Sequence, residues 1–198
     1  MPFTLVLGSL VTLASFATDM GLPVLAATAA SLGVAPGTAA LTLGVFLAGF
    51  ALGPLVFGPL SDGHGRRPVL LTGSAMFAVF GALAAFASSL HALLVWRFLM
   101  GTGAGACQVT VVAMIRDLFT GTDARVKQSY VNLAAGVAPV IAPTVGVAIA
   151  LLGGWRAIYG ALAAGGVALV FVITFWIGES APRRAAHTVA SAVRSYAT

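Results

Sequence analysis

Two charged side chains fall where a chain can least easily carry charge. Asp19 and Arg97 each interrupt a run of apolar residues long enough to cross a bilayer. Counting along those runs at about 1.5 Å per residue puts Asp19 about 16 Å, and Arg97 about 9 Å, from the same membrane face. Long side chains partly bridge the remaining difference of about 7 Å. A carboxylate at such depth is costly when charged and unpaired, so it is a functional candidate by default. Burial favours its neutral form and a nearby cation its ionised form. That competition lets a small rearrangement load or release a proton, which is the chemistry of a proton-coupling pair. Two plainer readings stand beside it: Asp19 caps a helix or marks a span boundary, and Arg97 snorkels to the outer interface.

The elements that position this pair follow from composition. The 198 residues are 60% hydrophobic and 8% charged, against about 25% charged in a soluble domain, so the surface must face lipid. Mean hydropathy is +1.04. A membrane-crossing helix needs about 20 mostly apolar residues. That length predicts spans at about 5–30, 39–59, 69–89, 92–115, 128–151 and 156–178, with turn residues at Gly33–Gly37, Ser88–Ser89 and Gly153–Gly154. The fold class is therefore all-α, a polytopic membrane protein with a six-helix bundle over residues 1–180 and a tail over 181–198. The first run lacks a basic n-region and contains Asp19, so it reads as a retained span and not a cleaved leader.

Basic residues set the orientation. Arg66, Arg67, Arg116, Arg125, Lys127, Arg183, Arg184 and Arg194 share one side, and Arg156 falls on the other. Excess Lys/Arg marks the cytoplasmic face, which predicts cytoplasmic N- and C-termini in a multi-pass plasma-membrane protein. The same placement between apolar runs argues against nucleic acid as a partner. A single cysteine, Cys107, excludes an internal disulfide and a multi-cysteine metal site. The three histidines show no metal-ligand or nucleophile–base spacing, and no phosphate-binding G-x-x-x-x-G-K-[ST] loop occurs. An enzyme is not expected, nor a metal or other cofactor.

The stretch GPLSDGHGRRP (58–68) concentrates charge between spans two and three. Its glycines and prolines read as a tight reversal and its arginines as topology signals. The order of types goes further. Gly58, Leu60, Asp62, Gly65, Arg66, Arg67 and Leu70 fit G-x-L-[SA]-D-x-x-G-R-[RK]-x-x-L, with Gly63 where a basic residue is usual. This resembles the loop signature of the major facilitator superfamily. DMGLP (19–23), RFLMGTGAG (97–105), IRDLF (115–119), APVIAPTVG (138–146) and GGWRAIY (153–159) are similar to signatures of its bicyclomycin/chloramphenicol-resistance branch, which exports drugs in exchange for protons.

The resemblance covers about residues 5–180 and implies one half of a twelve-span fold, in a bacterial-type inner membrane. It implies that the fourth-span Arg97 faces a central cavity and influences protonation of Asp19, and that a proton gradient supplies the energy. It also implies that Asp62, Arg66 and Asp117 form a charge relay at the cytoplasmic face. Gly58, Gly65 and Arg67 join that relay in conformational gating; solvated interfacial ions are the alternative. Met100, Gln108 and Asn132 are candidates for a substrate cavity, against packing or lipid contact for Met100 and bonding to a neighbouring helix for Gln108 and Asn132; Pro139 and Pro143 are candidates for a bending point in span five. Gly101, Gly103, Gly105, Gly49 and Gly53 read as positions of close helix approach. Implied partners are the bilayer, an amphipathic small-molecule drug, and a second copy or a separate second half. The competing expectation is a truncated, transport-inactive membrane protein or interaction module.

Overall fold

In a computed structural model of the chain, residues 2–178 are described, and every regular element among them is helical. The helices are α1 (Pro2–Asp19), α2 (Leu25–Ser31), α3 (Pro36–Ala39), α4 (Leu41–His64), α5 (Arg66–Ala85), α6 (Leu90–Leu118) and α7 (Gly121–Trp176). The expected tail over 181–198, with Arg183, Arg184 and Arg194, lies outside the described residues.

Helix α7 spans 56 residues, about 84 Å if straight, far beyond a hydrocarbon core of about 30 Å. It reverses at Gly153 and Gly154, whose φ of −159° and 68° leave the helical region. Its first arm runs alongside α1: Gly8 meets Ala134 near one end and Gly146 meets Met20 near the other. Its second arm runs back along α5, from Arg156 at the Ala87 carbonyl, past Ala163 at Gly81, to the Thr174 carbonyl bound by Arg67. Among the described residues five helical segments are long and apolar enough to cross a membrane, and the reversal divides the last of them into two arms, six in all. The expected boundary at Gly153–Gly154 is where the chain turns.

Two boundaries differ from expectation. The GPLSDGHGRRP stretch is not a loop. Helix α4 continues through Pro59 to His64, α5 starts at Arg66, and the reversal rests on Gly65 alone (φ 103°, ψ 159°). That dihedral pair suits glycine. Pro68 falls in the first turn of α5, where backbone N–H groups have no helical partner and proline removes nothing. The first span is not continuous either, because α1 ends at Asp19 and a 3-10 turn (Leu22–Val24) precedes α2. Pro23 cannot donate to the Asp19 carbonyl four residues back, so the helix stops there. Pro139 and Pro143 lie inside α7, whose non-helical residues are Gly153 and Gly154.

Glycines set the packing distances between α4 and α6. A methyl at Gly49 would strike the Phe98 carbonyl, at Gly101 the Phe46 carbonyl and at Gly105 the Phe50 carbonyl, and at Gly53 it would lie 2.6 Å from the Thr102 oxygen. Two small-xxx-small pairs thus face each other, as the spacing predicts. Gly73 and Gly103 do the same for α5 and α6 at 2.8 and 2.6 Å. Gly101→Val or Gly53→Val is expected to cost about 1–3 kcal/mol through overpacking. Gly44→Ala adds a methyl with nothing within 4 Å and is expected to be neutral, or stabilising by up to about 1 kcal/mol. Thermal melts in detergent check the contrast; a melting loss for Gly44→Ala with none for Gly101→Val contradicts it.

Candidate functional site

The break after Asp19 creates the site. A helix end leaves its last carbonyls without N–H partners and carries partial negative charge. Arg97, reaching across from α6, supplies a donor to one of them and reaches a second carbonyl on α4. Its Nη1 donates to the Ala17 carbonyl at 2.9 Å and its Nε to the Thr42 carbonyl, near the start of α4, at 3.3 Å. Arg97 is 3% exposed, so it does not snorkel. Its guanidinium carbon lies 4.3 Å from the centre of the Phe46 ring and 5.5 Å from that of Tyr159, where the π faces favour a cation. Carbonyls and rings compensate this charge.

The expected partner does not touch it. Asp19 is half-buried at the last position of α1, and Arg97 binds the carbonyl two residues earlier with no ion pair to the Asp19 carboxylate. The difference has a local cause. Pro23 ends the helix at Asp19, and the exposed end of the backbone presents acceptors that a fixed guanidinium can take without moving a carboxylate. Gly146 completes the arrangement, since a methyl there would strike the Met20 carbonyl and push the first arm of α7 off the break. Ala142, one turn earlier, is fully buried.

A cleft of about 240 Å³ opens beside the break, lined by Ser15 and Thr18 of α1, Phe50 of α4 and Gln108 of α6 among others. Thr18 also borders the small space around Arg97, Thr42 and Tyr159, linking the two. The Gln108 side-chain oxygen is buried without a hydrogen-bond partner, an unmet acceptor at the cleft wall. The other two cavity candidates lie elsewhere. Met100 is fully buried in the core beneath Gly81, and exposed Asn132 accepts from Gln128 at 2.9 Å.

The second charged set does assemble. Arg66 donates from Nε to Asp117 at 2.8 Å, and from Nη1 to Asp62 at 2.6 Å and to the buried Ser61 hydroxyl at 2.8 Å. One guanidinium thereby ties the end of α4, the start of α5 and the end of α6. Arg67 secures the neighbouring edge through the Thr174 carbonyl at 2.7 Å. A methyl at Gly58 would meet Val109 at ordinary contact distance, and Gly65 makes the turn. On the opposite side Trp155 donates to Ser31 at 2.6 Å, pinning the α7 reversal to α2.

Sequence reasoning missed the carbonyl acceptors of Ala17 and Thr42, the ring pair Phe46 and Tyr159, Ser61, and the role of Gly146. Backbone acceptors leave no mark on residue type. Pro23 was the one available signal, because a proline four residues after Asp19 predicts a helix stop there.

Known proteins bear on this geometry. The family model described as Major Facilitator Superfamily matches residues 7–196. A chloramphenicol resistance protein of Pseudomonas aeruginosa is 37% identical over 157 residues, covering 79% of this chain and 38% of that protein. Multidrug resistance protein D of Escherichia coli (strain K12) is 32% identical over 184 residues, covering 93% and 47%. The chain thus spans less than half the length of these relatives. Among solved structures, the xylose transporter XylE from E. coli in a partially occluded inward-open conformation superposes with a TM-score of 0.73 at 18% identity, covering 90% of this chain and 50% of that one. A peptide transporter in complex with sulfate gives 0.77 at 17%, covering 98% and 42%. These structures share the fold.

Exposure separates the two ion pairs of Arg66. The Asp117 side chain is 21% exposed and that of Asp62 65%. Double-mutant cycles on thermal stability are expected to give a coupling of about 1–3 kcal/mol for Arg66 with Asp117 and below about 1 kcal/mol for Arg66 with Asp62. The opposite ranking contradicts this reading of the cluster.

Proposed function

The chain belongs to the major facilitator superfamily, and from that premise we propose that its six-helix unit forms one wall of a pathway exporting amphipathic small molecules in exchange for protons. One observation carries the reading: a half-buried carboxylate at a helix break, two residues from a carbonyl that holds a buried guanidinium. With a proton on Asp19, Arg97 rests on the Ala17 and Thr42 carbonyls. Once the proton leaves, the Asp19 carboxylate competes for the same guanidinium, and a shift of Arg97 toward it pulls on α1, α4 and α6 together. Thr18, shared between the Arg97 surroundings and the cleft, connects that shift to the place where a substrate rests.

The cleft is small for a drug-sized molecule, since ligand pockets occupy about 300–1,000 Å³. Transporter sites of this architecture lie between two repeats near the midplane. A second six-helix unit facing the cleft, from a second copy or a separate half, therefore completes the site in this reading. At the basic end, Arg66 with Asp62 and Asp117 holds α4, α5 and α6 together, and its release accompanies opening on that side. The basic end is cytoplasmic under the positive-inside rule, in a bacterial-type inner membrane.

Asp19→Asn is the direct test, because the amide keeps the size and cannot carry the proton. Drug accumulation in cells producing the chain, and proton movement on substrate addition in their inverted vesicles, give the readout. Export by the unaltered chain, with loss of coupled export in Asp19→Asn, is the expected result. Full coupling in Asp19→Asn overturns the assignment. Absence of export by the unaltered chain favours the transport-inactive reading.

A further inference from the structure

A trough of about 620 Å³ runs between α1 and the first arm of α7, and no part of the proposed transport cycle uses it. It lies on a different flank of α1 from the cleft. Thr4, Gly8 and Thr12 face the trough, whereas Val11, Ala14 and Thr18 face the cleft, a separation that the helical repeat of about 3.6 residues imposes. At its edge Leu13 also packs toward Gly165 of the second α7 arm, and α1 forms the floor of the trough.

We infer that this trough binds one acyl chain of an anionic phospholipid whose phosphate rests at Lys127. Three features point to that occupant. The first is length. From Thr4 to Phe16 the floor extends about 18 Å, close to one leaflet's share, about 15 Å, of the hydrocarbon core. The second is lining. The walls are Leu5, Leu13, Phe16, Ala134 and the body of Tyr130, with small hydroxyls between them, which suits a chain without polar groups along its length. The third is charge. Lys127, the chain's single lysine, is the one charged residue lining the trough among the described residues. It is half-buried, lies 5.7 Å from the Phe119 ring, and makes no ion pair or hydrogen bond among the described residues. A cation held at the rim of an apolar slot without a carboxylate is complementary to an anionic head with an apolar tail. Lys127 also belongs to the basic end with Arg116 and Arg125, the level at which headgroups sit.

The test uses the full chain in nanodiscs containing equal parts phosphatidylglycerol, phosphatidylethanolamine and phosphatidylcholine, with retained lipid read by native mass spectrometry after release. Phosphatidylglycerol is expected to be retained in excess over phosphatidylcholine. Lys127→Gln should lower that excess about fivefold, the factor equivalent to about 1 kcal/mol for one basic residue near an anionic surface, and Lys127→Arg should restore it. Ser9→Trp, which fills the trough from an exposed position, should abolish the excess with Lys127 intact; Thr12→Trp replaces it if that variant does not fold by circular dichroism. Equal retention of the two lipids, or an excess indifferent to Lys127→Gln, overturns the inference. So does an excess that needs Lys127 but survives the tryptophan, since that result leaves only surface attraction.

Discussion

An arginine cannot shed its proton at any ordinary pH, so a guanidinium inside an apolar bundle must be given acceptors there. Much of this fold can be read as the provision made for Arg97. The nearest carboxylate does not supply them. The backbone does, through a helix interrupted at Asp19 and through the Thr42 carbonyl near the start of α4. The interruption requires Pro23, and the approach of the first α7 arm to it requires Gly146. The approach of α4 to α6, which brings Thr42 and Phe46 up to Arg97, requires glycines at 49, 53, 101 and 105. Removing any of these moves an acceptor or a ring away from a charge that has no other shelter.

The two ends of the bundle solve a related problem differently. At the basic end water is near, and Arg66 takes two carboxylates and a hydroxyl from three helices. The contact with exposed Asp62 is weak and exchangeable, whereas those with Asp117 and the buried Ser61 are sheltered. Within the bundle Arg97 has neutral acceptors, leaving Asp19 without an ion pair among the described residues and able to change its charge without first breaking one. A coupling site needs that freedom. In the proposed cycle the neutral acceptors hold one state and the ionised carboxylate the other.

Much of this was legible in the sequence. Span number, the close-approach glycines, and the convergence of Asp62, Arg66 and Asp117 followed from apolar run length, spacing and the loop signature. Gly153–Gly154 was read correctly as a reversal. Misreadings arose where a residue type has two uses. Glycine and proline within GPLSDGHGRRP looked like a loop, yet Pro59 lies inside a helix and Gly65 alone turns the chain. The acceptors for Arg97 were invisible because they are main-chain atoms, whereas the packing role that the type of Met100 favours is the one its burial shows. Charge alone suggested Asp19 as the partner of Arg97, whereas the helix stop imposed by Pro23 supplied a different one.

A solid-state NMR distance measurement in lipid bilayers tests this account most directly, with ¹⁵N in the arginine guanidinium groups and ¹³C in the alanine carbonyls or the aspartate carboxylates, Arg97 being assigned by its loss in Arg97→Lys. With Asp19 protonated, the account predicts strong dephasing of the Arg97 guanidinium by the Ala17 carbonyl carbon, matching the 2.9 Å nitrogen–oxygen contact, and none by Asp19. Strong dephasing by the Asp19 carboxylate carbon under those conditions, with none from Ala17, contradicts it.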